Sequence, residues 1–145
     1  MTFKMKTASA AGLLWVALAA GPAMASCNTA YSEQWGAGNG LAISQTGMCN
    51  GTSIIQDGWG NTTIASTDGN WNVTAVGQSG WRHEARSRQV GSRNVTGIAQ
   101  FGSDNYTDVV IEGDDNAVGI IQVGHGNTAE SRTYGNGNIA LIIQN

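Results

Sequence analysis

Gln34, Gln45, Gln56, Gln78, Gln89, Gln100, Gln122 and Gln144 fall at intervals of eleven residues or whole multiples of eleven. Asn28, Asn39, Asn50, Asn61, Asn72, Asn94, Asn105, Asn116, Asn127 and Asn138 form a second series with the same interval, broken only where His83 takes the place of asparagine. A primary amide offers N–H donors and a carbonyl acceptor, and it is neither a nucleophile nor an acid. Its chemistry is reciprocal hydrogen bonding, and identical amides stacked one above another extend that bonding without limit. The two series therefore predict ladders of the amyloid kind rather than a catalytic centre.

Such ladders need elements that repeat with the same period. Gly36, Gly47, Gly58, Gly69, Gly80, Gly91, Gly102, Gly113, Gly124 and Gly135 stand eleven residues apart without a slip, giving a unit Q-x-G-x-x-N-x-[AT]-x-x-x-Q. From asparagine to the next glutamine every second residue keeps its type, as in Asn50, Thr52, Ile54 and Gln56, while the residues between vary from Arg86 to Leu141. A period of two over about seven residues predicts a strand with its constant face inward. The four residues from just after glutamine to just before asparagine hold the glycine and read as a turn. A fixed short period predicts a repeat architecture. The expected fold is an all-β, parallel, in-register solenoid of 11-residue strand–turn units. Two strands make a 22-residue rung, and eleven strands from Asn28–Gln34 to Asn138–Gln144 make about five and a half rungs.

Residues 1–25 stand outside this pattern. Lys4 and Lys6 precede an apolar run from Ala8 to Ala20, and Ala23-Met24-Ala25 offers a small-x-small cleavage site. This reads as a secretory signal peptide rather than a membrane span, leaving residues 26–145 as the repeat domain. Met24-Ala25-Ser26 fits a lipobox poorly, which counts against a lipidated Cys27. The whole chain has a formal net charge of −3. Removing both lysines leaves five arginines against ten acidic residues, a balance of −5. Nothing in it favours nucleic acid or an anionic membrane. Pro22 is the one proline, so the repeats hold nothing that blocks a backbone ladder.

Cys27 and Cys49 are 22 residues apart and each directly precedes the asparagine of its unit. In a 22-residue rung they would sit about 4.8 Å apart, inside the Cα range a disulfide tolerates. A disulfide stapling the first two rungs is the favoured reading, with two free thiols in loops as the alternative.

The unit resembles the curlin repeat of bacterial curli proteins. The likeness covers residues 28–144 and is carried by stretches such as Gln34-Trp35-Gly36-Ala37-Gly38-Asn39, Gln122-Val123-Gly124-His125-Gly126-Asn127 and the closing Asn138 to Gln144. The resemblance implies secretion through the periplasm and a dedicated outer-membrane export machinery. It also implies assembly with itself and other curlin subunits into cell-surface amyloid fibres for biofilm matrix and adhesion. The chain departs from the major curlin subunit in two ways. Its first strand begins within a few residues of the expected cleavage site, and it carries Gly-x-x-Asn in every unit but the one with His83, a feature closer to the minor, nucleating subunit.

Other features have two readings each. Trp35, Trp59, Trp71 and Trp81 at the turns would either pack against neighbouring rungs, the favoured reading, or form an exposed edge for polysaccharide, dyes or a second filament. The charged segment Trp81–Arg88 would act as a gatekeeper against early aggregation or simply face outward. Asn-x-Thr occurs at Asn50, Asn61, Asn72, Asn94 and Asn105; the repeat itself generates these sequons and points them inward. Asp104, Asp114 and Asp115 lack the dense Asp-Gly pattern of calcium-binding solenoids. His83 and His125 do not share a column, and no carboxylate pair recurs beside them. No catalytic, cofactor or metal residues are therefore expected. A soluble, monomeric β-solenoid that binds carbohydrate or a surface is the alternative to a fibre subunit.

Overall fold

The computed structural model describes strands Thr2–Ala8 (β1) and Trp15–Leu18 (β2) and residues 27–145. The expected cleavage site at Ala23–Ala25 lies outside the described residues. The repeats form eleven strands: Thr29–Ala37 (β3), Gly40–Thr46 (β4), Gly51–Trp59 (β5), Thr62–Asn70 (β6), Val73–Trp81 (β7), Glu84–Ser92 (β8), Val95–Ser103 (β9), Tyr106–Glu112 (β10), Ala117–His125 (β11), Thr128–Tyr134 (β12) and Ile139–Gln144 (β13). The described residues form strands joined by short bent or irregular corners, and none is helical.

Consecutive strands alternate between two parallel sheets. One runs β1-β3-β5-β7-β9-β11-β13 and the other β12-β10-β8-β6-β4-β2. From β3 to β13 each strand pairs with the strand one rung away at an offset of 22 residues, so that Gln56 registers with Gln78 and Gly58 with Gly80. This is the expected in-register β-solenoid. β1 pairs with β3 and β2 with β4 at the lower edge, where backbone N–H and C=O groups would otherwise lack partners.

The inward face is the constant face of the repeat. Ile54, Val76, Ile98 and Ile120 are buried in the first sheet, facing Leu41, Ile43, Ala65 and Val109 of the second. The strands run further than the sequence pattern predicts, because seven of them continue through the glycine and one residue beyond, as in Thr29–Ala37. The glycine is a kink within the strand rather than the centre of a turn.

That kink explains the uninterrupted lattice. Gly80 has φ +128°, and a Cβ added there would fall on the carbonyl oxygen of Gly102 in the next rung. The same overlap recurs from Gly36 to Gly113. The rungs approach so closely here that a side chain has no room, and a positive φ adds a second reason for glycine. Gly77, on the outer face, has nothing within 4 Å of the added carbon.

Gly80→Ala is therefore expected to cost about 3 kcal/mol or more, combining backbone strain with overpacking. Gly77→Ala should be neutral or stabilise by up to about 1 kcal/mol. Guanidinium unfolding midpoints of the two variants test the contrast.

Candidate functional site: interior columns and open edges

The glutamines of the first sheet form one unbroken column of six. Gln56 Nε2 donates to Gln78 Oε1 (2.8 Å), Gln78 to Gln100 (2.8 Å), Gln100 to Gln122 (2.9 Å) and Gln122 to Gln144 (2.9 Å), with Gln34 donating to Gln56 at the lower end. From Gln56 to Gln144 the remaining amide hydrogen reaches a backbone carbonyl of the other sheet, as from Gln78 to Thr62 O at 3.1 Å. Threonine hydroxyls complete the set: Thr63 Oγ1 donates to Gln78 Oε1 (2.9 Å) and Thr107 Oγ1 to Gln122 Oε1 (2.8 Å). A buried amide left without partners would cost about 2 kcal/mol or more, and these have partners on both sides.

Gln45 and Gln89 do not join a ladder. They belong to the second sheet, where the column reads Gln45, Thr67, Gln89, Ile111 and Thr133, so no two glutamines adjoin. Gln89 Nε2 instead donates to Val73 O (3.0 Å) and Thr96 Oγ1 (2.8 Å). Gln45 Nε2 donates to Thr29 O (3.1 Å) and Thr52 Oγ1 (2.9 Å). Among the described residues, Gln45 Oε1 and Ser87 Oγ are the buried side-chain atoms that lack a hydrogen-bond partner.

The asparagines work differently from the expected side-chain ladder. From Asn28 to Asn116 each Oδ1 accepts the backbone N–H of the equivalent residue in the next rung: Asn50 N–H to Asn28 (2.8 Å), Asn72 N–H to Asn50 (3.0 Å), Asn94 N–H to Asn72 (2.9 Å). From Asn28 to Asn116 each Nδ2 donates to the glycine carbonyl of the next rung, as from Asn50 to Gly69 O (2.8 Å) and from Asn94 to Gly113 O (2.7 Å). Asparagine thus satisfies the backbone where the strand ladder lapses at the corner. Side-chain to side-chain contacts between asparagines supplement this at a few rungs, such as Asn72 Nδ2 to Asn50 Oδ1 at 3.2 Å.

His83 performs the asparagine role with an imidazole. It is 1% exposed, its backbone N–H donates to Asn61 Oδ1 (3.0 Å), and its Nδ1 accepts the Asn105 N–H (3.3 Å). Its Nε2 lies 3.2 Å from Ser79 O, to which Nε2–H donates. This pattern requires the neutral ring, since a proton on Nδ1 would face the Asn105 N–H. Burial pushes the ring's pKa down, against the opposing pull of the Ser79 and Gly102 carbonyls and of Asp104.

At the corners, residues two after the glycine adopt left-handed backbone whether or not they are glycine. Cys49 (φ 56°), Trp71 (φ 61°), Arg93 (φ 59°) and Asp115 (φ 61°) occupy one such column, and Arg82 (φ 54°) and Asp104 (φ 57°) the other. Five of these six are tied to a neighbouring rung by their side chains. Cys27 and Cys49 are joined by a disulfide, with Cα atoms 4.4 Å apart. Arg82 holds Asp104 in a two-pronged pair (2.6 and 2.7 Å), and Arg93 holds Asp115 likewise (2.6 and 2.7 Å). The arginines keep both carboxyls below their usual pKa. The sequence reading missed these pairs, although opposite charges 22 residues apart were the available signal.

The remaining charges of the segment 81–88 also have partners: Arg86 meets Glu84, and Arg88 meets Glu112. Both pairs lie on the outer face, as the outward-facing reading expects. The tryptophans do not pack as favoured, for Trp59, Trp71 and Trp81 are each more than three-fifths exposed, with Trp59 and Trp81 in register on adjacent rungs. Asp114 Oδ1 accepts the Ser92 N–H (2.7 Å), and no metal-ligating cluster of three acidic, histidine or cysteine residues occurs among the described residues. No described helix is long and apolar enough to cross a membrane.

At the upper end β13 presents an unpaired edge, and its outward residues Ile139, Leu141 and Ile143 are highly exposed. Compared with family models, curated proteins and solved structures, the chain matches none.

Two measurements test the columns. Gln100→Ala should cost about 2–4 kcal/mol and Gln45→Ala about 1 kcal/mol, since the first breaks a buried network and the second removes an already incomplete one. The His83 ring titrates near 6.5 when unfolded and lower when folded. The unfolded chain therefore binds more protons below that pH, and stability falls on acidification. Unfolding midpoints should drop between about pH 7 and about pH 5, and His83→Asn should remove most of that drop; Asp104 and Asp115 act only in a window near or below about pH 4.

Proposed function

We propose that this chain is a secreted structural subunit that assembles head to tail into extracellular amyloid fibres of the curli type, of the minor or nucleating kind. The observation that carries the reading is the upper edge of the stack, where the same columns that close every interior rung reach β13 and leave its backbone N–H and C=O groups unpaired. Repeat proteins that remain monomeric cover such edges with polar terminal repeats. A stack whose two ends are complementary and which does not close on itself grows into a filament. The resemblance of the unit to curlin repeats supports the same reading. It extends it to export through an outer-membrane machinery, co-assembly with other curlin subunits, and a place in biofilm matrix and adhesion.

The exposed tryptophans favour a second reading, a monomeric solenoid that binds carbohydrate or a surface. Trp59 and Trp81 present adjacent indoles on one corner, and aromatic platforms of that kind stack on sugar rings.

Thioflavin T fluorescence of the secreted chain, followed with and without seeds, separates the two. The fibre reading expects a lag that seeds remove and a meridional reflection near ~4.7 Å. Gln144→Ala should slow elongation several-fold by ending the amide column at the growing edge. A β-rich species that stays monomeric at every concentration in sedimentation, and binds no dye, would replace it with the binding module.

A further inference from the structure

We infer that successive copies of this chain dock after a half-turn about the long axis, β3 of one copy adding to β12 of the copy below and β4 adding to β13. The inference rests on the fibre reading above and specifies its junction. The repeats provide eleven strands, six in the first sheet and five in the second. The stack therefore ends half a rung higher on one side than on the other. A second copy added without rotation would place β3 on β13 and leave a one-strand gap above β12. After a half-turn its β3 fills that gap and its β4 continues on β13, so both sheets run on unbroken. The rotation is available because both sheets share one 11-residue unit and the same corner geometry.

The residues this brings together differ by 99 in number, nine periods, and they match. On the inner face Ser32 would cover Ser131, and Ile43 would cover Ile142, continuing the apolar column of the first sheet. The unrotated arrangement instead lays Ser32 on Ile142 and Glu33 on Ile143. On the outer face of the rotated junction Glu33 would meet Arg132, whose own carboxylates Asp108 and Glu130 stand at 3.8 and 3.7 Å. Gln45 would cover Gln144. Among the described residues, Gln45 Oε1 is a buried acceptor that lacks a partner. The column below ends on Gln144, and glutamines of that column donate through Nε2 to the Oε1 above. The half-turn supplies the missing bond. β1 and β2 occupy the lower edge of β3 and β4, so docking requires the removal of residues 1–25 that the sequence leads one to expect.

Gly135 offers a test by substitution. A Cβ there meets only Asn138 Nδ2, at 3.6 Å, whereas at the interior glycines it would fall on a carbonyl of the next rung. In the rotated junction Gly36 of the next copy lies directly above Gly135, so an added methyl would collide only upon docking, while the strain of its own φ of +98° is already present in the free chain and is read separately from the unfolding midpoint of the variant. Gly137 has φ +70° and open space around it, in a column that already holds Asp115 with a similar backbone.

The experiment uses the chain exported with its own N-terminal segment, its N terminus read by mass spectrometry. Cryo-electron microscopy of its fibres should give a subunit rise of ~26 Å with a half-turn between subunits, five and a half strand spacings of ~4.8 Å. A rise of ~29 Å without a half-turn, six spacings, overturns the docking and leaves the fibre reading standing. Failure of the chain to form fibres even when seeded overturns both. In seeded growth Gly135→Ala should elongate about tenfold more slowly or worse, the effect of an overpacked contact, while Gly137→Ala grows as the unmodified chain does. Unimpaired growth of Gly135→Ala, or equal slowing of both variants, counts against the half-turn.

Discussion

In a parallel stack with a 22-residue offset, every residue lies about 4.8 Å from its own equivalent in the rungs above and below. The rest of the molecule follows from that constraint. A position is acceptable only if its side chain can pack on, or bond to, another of its kind or of a matching kind. Aliphatic residues meet it by contact, as Ile98 does between Val76 and Ile120. Glutamine meets it by offering an acceptor downward and a donor upward. Asparagine meets it by serving backbone rather than its own neighbour, taking an N–H and giving to a carbonyl at the corner where the chain changes sheets. Glycine meets it by having nothing to collide. A core this thin and this polar holds together because each amide is matched, and a mismatch costs more here than in an aliphatic core.

The corners face the same constraint under a harsher geometry. Their left-handed residues cost about 1–2 kcal/mol when they carry a side chain. Where the column is not glycine, the side chain is put to use between rungs at every position but the exposed Trp71. The disulfide holds the lowest two rungs, and the Arg82–Asp104 and Arg93–Asp115 pairs hold the middle. Exposed ion pairs each contribute little. These are bidentate and repeat the 22-residue offset, so they fix register as well as adding modest attraction. Like-on-like stacking would set arginine on arginine, and alternating arginine with aspartate along the axis avoids that repulsion.

Much of this was legible in the residues. The eleven-residue glycine lattice and the alternation within each unit specify strand, face and rung, and the 22-residue spacing of Cys27 and Cys49 places them on adjacent rungs. Three things were not legible, each for a physical reason. The strand continues past the glycine because a positive φ can kink a strand without ending it, which composition alone reads as a turn. Gln45 and Gln89 look like ladder members along the chain. In space, the odd and even units belong to different sheets, and only the odd ones stack glutamine on glutamine. The tryptophans at the corners suggested packing, yet the left-handed backbone of Trp71 and the outward direction of Trp59 and Trp81 aim the indoles at solvent.

The distinction between sheets also separates two surfaces that a linear reading merges. The axial edges carry the amide columns, and they are defined by residues whose types hardly vary from rung to rung. The lateral faces carry Trp59, Trp81 and the paired charges, and they vary freely because nothing stacks there under the same demand. Growth along the axis leaves the lateral faces untouched, so a fibre of this chain would repeat Trp59 and Trp81 along its length at the subunit spacing. Weak contacts to a ligand would then add along the filament as linked sites do, gaining avidity without any change in the single site. In such a fibre, adhesion and polymerisation would draw on separate residues of one repeat, the eleven-residue period serving the second while leaving the first open to variation.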